Sequence, residues 1–514
     1  MTPPPGARAR WAAPLAVAVV LGALYVVLAP HTADLAAQTA RSQVFRRSGY
    51  VPYWTGWFGG TPMAGYSLVT PPLLGLFGAV WLGALTIVAS AVVAVPLLAG
   101  CRRPRAAAIA VVVSGTFDVF SGRTTFAAGV VVGLAALLAV ERRRPYVAFV
   151  VAVLTTATSP VAGVLLTVVA AATVLAGPRR RIGGLAVLAG VGTAFAVIAV
   201  LAGGSRGGYE PFTVTSLLLA TGTTLVVVLS PVGRRLRVTA WLTLLLFLGS
   251  YLIHSPVGAN ATRIAVLGAA PALVAAARWP RLLLFPAVVV ASLLACGQLV
   301  NDMAAAGGAV ASREFVAPLK DELLDQPELY EFRVEVVAPK THWPLTYLLP
   351  EVALARGWER QTDEARNRIF YGRAPLTAAS YRRFLDYNAV GYVALPTHSA
   401  LDYGSAGEGA LIRRGLPYLN LMWANADWQL YSVIGAKPLV ARVTAPSPAA
   451  VVLASDDTGF TFDVFRSGRY LVRMTWSPYL VANGARVSRA PGDHVWVTVP
   501  TAGHYRLRAV WRWP

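Results

Sequence analysis

The residue with the most chemistry in this chain is a carboxylate that stands alone at the end of an apolar stretch. Asp34 is the first acidic residue of the sequence, and no other occurs before Asp118. It follows the apolar run Trp11 to Pro30. With Thr32 as its cap, a helix starting here carries Gln38 and Arg41 on the face of Asp34, at i+4 and i+7. A carboxylate, an amide and a guanidinium then lie in a row. Arg41 either pairs with Asp34 or offers its planar fork to a phosphate. The plainer alternative is an amphipathic helix lying on a bilayer, with arginine on its polar side. The segment that follows, Val51 to Tyr66 (V-P-Y-W-T-G-W-F-G-G-T-P-M-A-G-Y), is rich in Trp, Tyr and Gly. It reads as the floor of an active site at a membrane surface.

Two further segments carry charge where apolar sequence surrounds it. In Gly115 to Arg123 (G-T-F-D-V-F-S-G-R), Asp118 and Arg123 are costly inside short apolar spans unless they face a cavity or each other. They form either an intramembrane ion pair or, through Arg123, an anchor for an anionic lipid head. In His254 to Arg263 (H-S-P-V-G-A-N-A-T-R), Asn260 and Arg263 stand about one helical turn apart at the mouth of a span. A helix start with free N–H groups and a first-turn Arg suits an anion; the plainer reading is a cap beside a snorkelling arginine. Metal binding has weak support. His31, Asp34 and His254 could meet, but no H-x-x-x-H or D-x-D spacing occurs in these loops. No Ser-His-Asp or P-loop pattern stands out.

The elements that must position these residues follow from composition. The 514 residues are 56% hydrophobic and only 13% charged, too apolar for an ordinary soluble chain. Up to about Val300 the apolar residues come in runs of about 15 to 25, the length that spans hydrocarbon. The net charge of +21 does not indicate nucleic-acid binding. Much of the excess sits in short clusters between apolar runs (Arg102 to Arg105, Arg142 to Arg144, Arg179 to Arg181, Arg234 to Arg237), the mark of cytoplasmic loops. The N-terminal run reads as a retained first transmembrane helix rather than a signal peptide. If every cluster is cytoplasmic, each block between clusters crosses an even number of times. The turns then fall at Ser121 to Arg123, near Ser159-Pro160, at Gly203 to Pro211 and at Ser255 to Asn260. Thr70-Pro71-Pro72 should break the long run after it, leaving a span from roughly Val80. The count is eleven, with the N-terminus inside and everything after Asn301 outside. Asp34, Arg123, Arg206, Glu210, His254, Asn260 and Arg263 then share the outer face. Cys101 and Cys296 belong to opposite faces and cannot bridge.

The expected fold class is an α-helical polytopic membrane domain of about 11 spans with a C-terminal extracytoplasmic α/β plus β-sandwich-like region. Its domains are 1–300, 301–436 and 437–514. Arg313 to Leu323 and Leu376 to Tyr387 read as helices, Val390 to Leu395 and Leu430 to Ile434 as strands. Beyond Pro438, short alternating runs with Gly-containing turns suggest a small sandwich. Trp476, Tyr479 and Trp496 there are either core or a sugar-stacking platform.

Taken together, these residues resemble the GT-C superfamily of polytopic glycosyltransferases, which use polyprenyl-phosphate sugars. The likeness rests on an Asp just past the first span, the Val51 to Tyr66 loop with its T-P-P entry to the next span, the S-G-R turn at Ser121 to Arg123 and the S-P-x-G-x-N-x-x-R segment at Ser255 to Arg263. Phe384 to Pro396 and Trp423 to Tyr431 look like elements that follow the last span in large bacterial members and their YfhO-like relatives. The resemblance implies transfer of a sugar from a polyprenyl-phosphate donor to an envelope glycan, lipid or protein acceptor at the outer face of the plasma membrane. Asp34 would be the catalytic base or help to hold a divalent metal, Mg or Mn. Arg123, Arg263 and Arg206 would hold the donor phosphate. Many members follow the first-loop Asp with a second acid; here Leu35 stands in that place, so the second acid would be Asp118 or Glu210. Two other classes stay open, a lipid-linked-sugar transporter or flippase and a non-catalytic scaffold for envelope assembly. Against transport stands the lack of an internal repeat.

Overall fold

A computed structural model describes residues 5–203, 208–372, 374–442 and 449–512. They form two compact units. The first holds the described residues up to Gln38 together with Tyr66–Ala199 and Tyr209–Ala304; the second holds Thr39–Gly65, the described part of Val200–Gly208 and the residues from Ala305 on.

The first unit is helical. It comprises α1 (Pro5–Leu28), the start of α2 (Ala33–Ser48), α3 (Thr70–Phe77), α4 (Ala79–Leu97), α5 (Pro104–Phe120), α6 (Thr124–Glu141), α7 (Pro145–Thr158), α8 (Pro160–Ala176), α9 (Arg181–Leu201), α10 (Val214–Leu229), α11 (Arg234–Leu252), α12 (Arg263–Ala276) and α13 (Arg281–Ala304). Among the described residues six helical segments are long and apolar enough to cross a membrane, and four more are apolar but shorter. Eleven full-length crossings are therefore not what helix length alone gives. The blocks Ala106 to Val140 and Tyr146 to Gly177 are too short to supply two long helices each, and α7 has only 14 residues. The turns themselves fall at the positions their chemistry marks. Proline stands in the first turn of α5, α7 and α8, where its missing N–H costs nothing. Gly78, at φ 77°, separates α3 from α4 just after the T-P-P entry.

The helices meet through small residues, which let backbones approach where no hydrophobic contrast with lipid drives association. A side chain at Gly129 would strike Ser159 and Ala162, and one at Gly190 would strike the Phe149 carbonyl. At one end of this unit the basic clusters are tied together. Glu141 accepts ion pairs from Arg180 and Arg235, both at 2.6 Å, and Arg103 donates to the carbonyls of Ala277 and Trp279. Both cysteines are free thiols.

The second unit is mixed. After α14 (Arg313–Leu324) comes a four-stranded sheet in the order Arg333–Val336, Val390–Pro396, Trp428–Val433, Leu419–Ala424, its first pair parallel and the others antiparallel. Beyond it two antiparallel four-stranded sheets enclose one core with Phe462, Tyr470, Val472, Val495, Val497 and Leu507 inside. The alternation along Gly503–Ala509, exposed and buried by turns, is that of a strand with one face in a sandwich core. Tyr479 belongs to this core, and arginines lie over the other two rings of the expected platform: Arg489 over Trp476 and Arg469 over Trp496.

The aromatic segment after α2 is part of this unit's interior. Tyr53, Trp54 and Trp57 are fully buried. The Trp54 indole donates to Asp457, the Trp57 indole to the Leu345 carbonyl and the Tyr53 hydroxyl to the Thr475 carbonyl. Asp457 also takes both Arg47 nitrogens and the Ser48 hydroxyl, so one buried acid fastens the segment from two sides. Rings of this size need partners for their N–H and O–H groups once buried, and the C-terminal sheets supply them.

Candidate functional site

The first unit brings three carboxylates onto one guanidinium. The turn between α5 and α6 is closed by the Arg123 amide donating to the Asp118 carbonyl at 2.9 Å. Gly122 takes φ 84°, and a Cβ there would run into the Leu35 amide and the Thr32 hydroxyl. The S-G-R turn thus needs glycine twice, for its backbone angle and for its approach to the start of α2. That approach also alters the expected cap. The Thr32 carbonyl accepts from the Ala36 amide at 3.2 Å, but its buried hydroxyl finds no hydrogen-bond partner among the described residues.

Arg123 therefore points along the α2 start. Its Nε donates to Asp34 Oδ2 at 2.9 Å, its Nη1 to Asp118 Oδ1 at 3.3 Å and its Nη2 to Asp302 Oδ2 at 2.9 Å. The three acids differ in access. The Asp34 side chain is 36% exposed, that of Asp302 21% and that of Asp118 only 3%. Asp118 Oδ2 and Ser121 Oγ are buried without a hydrogen-bond partner among the described residues. Such orphaned oxygens are uncommon and point to something that completes them.

Both line a cavity of about 100 Å³ with Arg123, Glu210, Asn260 and Arg263. Glu210 reaches it because its segment packs on the α11–α12 turn: its amide donates to the Ser255 carbonyl at 3.1 Å, and Gly258, at φ 40°, leaves room for the Glu210 carbonyl. Arg263 lies over the Phe126 ring at 4.6 Å and makes no ion pair within 4 Å among the described residues. The buried Asn260 offers its Nδ2 to the Pro256 carbonyl at 3.5 Å, a long and weak bond. The cavity thus gathers the acids Asp118 and Glu210 with the Asn260 amide and with Arg263, which has no carboxylate in contact among the described residues.

Of the residues singled out from the sequence, Asp34, Asp118 and Arg123 are bonded together, and Asp118, Arg123, Glu210, Asn260 and Arg263 share the cavity. The others go elsewhere. Arg41 pairs with Glu359 at 2.8 Å inside the second unit rather than with Asp34. Gln38 accepts from Thr125 at 2.7 Å and donates to Tyr66, which removes it from the row with Asp34. His254 is exposed, its ring tilted against that of Tyr209 at 4.7 Å, and His31 is exposed. Arg206 lies outside the described residues. Asp302 escaped the sequence reading, although a lone acid beside Asn301 at the end of an apolar run was the signal for it.

A divalent metal at this place, which the resemblance implies, does not fit the side chains present. Where three carboxylates converge, the Arg123 guanidinium already stands. Among the described residues no group of three or more His, Cys, Asp or Glu could hold a metal ion.

No protein-family model matches the chain, and no curated protein matches it in sequence. A solved structure similar to it is that of ArnT from Cupriavidus metallidurans bound to undecaprenyl phosphate. The two share 13% identity over 82% of this chain and 97% of that one, with a TM-score of 0.42. A superposition that loose does not establish a common fold, and the site has to be judged on its own geometry.

Proposed function

We propose that this protein is a membrane glycosyltransferase that moves a sugar from a polyprenyl-phosphate donor to an envelope acceptor at the outer face of the plasma membrane. The observation that carries the reading is the junction of Asp34, through Arg123, with a cavity that Asn260 and Arg263 also line. Asp34 takes the proton of the acceptor hydroxyl. The acceptor oxygen forms a bond to the anomeric carbon as the bond from that carbon to the phosphate oxygen breaks. The electron pair leaves with the polyprenyl phosphate, whose charge Arg263 and Asn260 receive. Arg263 suits this task because no carboxylate among the described residues is in contact with it, whereas Arg123 is held by three. Arg123 instead fixes the Asp34 carboxylate and leaves its second oxygen for the acceptor. Preformed donors aimed at developing charge commonly supply more of the rate gain in such catalysis than any other single effect.

The test replaces Asp34 with Asn and measures sugar transfer from polyprenyl-phosphate donors in membranes. Loss of a positioned base lowers transfer by roughly 10²- to 10⁴-fold. Transfer at the wild-type rate would remove Asp34 from the chemistry and favour a transporter or a scaffold.

A further inference from the structure

We propose that Arg123 is a built-in cation standing in the place of a divalent metal, so that the protein works metal-free and loss of this one side chain opens a cation site. Asp34 comes from the start of α2, Asp118 from the end of α5 and Asp302 from the end of α13, three elements distant in sequence. Their carboxylates all face one point, and each bonds a different nitrogen of one guanidinium. Oxygens gathered from separate elements around a single centre are what a hard cation requires. Here they sit 2.9 to 3.3 Å from the guanidinium nitrogens, spread by the width of the fork. A magnesium ion needs them at about 2.0–2.1 Å, which cannot be met while the fork is present.

A second observation points the same way: Ser121, which is not one of the three acids, lines the adjoining cavity and its buried hydroxyl has no hydrogen-bond partner among the described residues. Asp118 is almost fully buried and lines the same cavity beside Arg123, and its Oδ2 lacks a hydrogen-bond partner among the described residues. A guanidinium is a planar donor with a fixed set of N–H directions, so it satisfies one Asp118 oxygen and leaves the other. A spherical ion with flexible coordination has no such restriction. Asp34 and Asp302 are partly exposed, and a cation would have to draw them inward into the place the fork leaves.

The metal-free part of this inference rests on the transferase reading; the cation part does not. The experiment uses the full chain in lipid nanodiscs and follows bound Mn²⁺ by electron paramagnetic resonance. Wild type should take up none at this place. Arg123→Ala should gain about one equivalent with the oxygen ligation typical of hard cations, and lose it when Asp118→Asn is added. Free guanidinium in the buffer should expel Mn²⁺ from Arg123→Ala and restore part of its transfer, a rescue that a merely structural role for Arg123 would not give. Arg123→Lys, which keeps a cation, should stay closed to Mn²⁺ and serves where the alanine variant does not fold. Wild type that binds Mn²⁺ in an Asp118-dependent way, or a folded Arg123→Ala that binds none, overturns the proposal. So does wild-type transfer that chelation abolishes and Mn²⁺ restores, although the transferase reading then survives. If no transfer is found while the Mn²⁺ pattern holds, the transferase reading fails and the cation assignment stands.

Discussion

Each unit of this protein places one arginine among three carboxylates, and the two groupings do different things. In the second unit Arg356 bonds Asp363 through two nitrogens at 2.6 and 3.1 Å, Glu408 at 3.1 Å and Glu335 at 3.4 Å. Those side chains are at most 6% exposed. Tyr381 donates to Glu408, Tyr371 and Asn367 donate to Asp363, and Phe370 covers the guanidinium at 4.1 Å. In the first unit Arg123 also bonds three carboxylates, but one acid is a third exposed and a cavity adjoins them. One arginine among three acid groups makes a sealed lock in one place and a site open to a cavity in the other. Access separates the two; an orphaned oxygen does not, since Glu335 Oε2, like Asp118 Oδ2, is buried without a hydrogen-bond partner among the described residues.

The largest effect is expected at Arg356. Arg356→Met strips the counter-charge from three buried acids, and breaking a buried pair in this way costs roughly 3–5 kcal/mol. The expected outcome is loss of cooperative melting in the second unit, read by limited proteolysis of the C-terminal residues. If Arg356→Met melts like wild type, the lock is not a lock. Arg263→Ala should do the opposite. Transfer falls by about 10²- to 10³-fold, as when an oxyanion donor is removed, while the melting temperature barely moves. A large stability loss with unchanged turnover would mean that the cavity is structural as well.

The pH dependence separates the two groupings further. Burial raises Glu335 well above the usual carboxylate range, and the neighbouring Glu408 adds to it. Burial likewise pushes Glu408 up to about 7 against the pull of Arg356. The native pair thus keeps a proton that the unfolded chain has already released. Stability from this pair is present at mildly acidic pH and is lost as the pH rises from the ordinary carboxylate range through about 7. Glu408→Gln should flatten that slope, which denaturant melts at about pH 5 and about pH 8 will reveal. The smallest effect on transfer is expected at Arg41. Its bridge to Glu359 joins a buried guanidinium to a side chain that is 21% exposed, so Arg41→Ala should lower the melt of the second unit and leave transfer nearly intact. A hundredfold loss of transfer would return Arg41 to the donor site.

Some of this was legible in the sequence because it is local. Apolar run length marks the helices, and proline marks their starts at Pro104, Pro145 and Pro160. The Ser121 to Arg123 turn and the Ser255 to Arg263 segment read correctly as chain reversals, since turn residues act within a few positions of themselves. The expected Asp118–Arg123 pair spans only five residues and is present.

Partners drawn from far along the chain were another matter. Nothing near Arg41 indicates Glu359, nothing near Trp54 indicates Asp457, and the orphaned Thr32 hydroxyl follows from the approach of Gly122, far along the chain. By itself the sequence determined where helices begin and end, and that charge was being placed at their tips, because hydropathy, turn chemistry and proline geometry act over a few residues. Only the tertiary structure decided which tips share a volume, that Asp302 joins Asp34 and Asp118 on Arg123, and that Arg263 has no carboxylate in contact among the described residues. Ion pairing depends on distance in space, and which distant segments meet is set by the packing of whole helices.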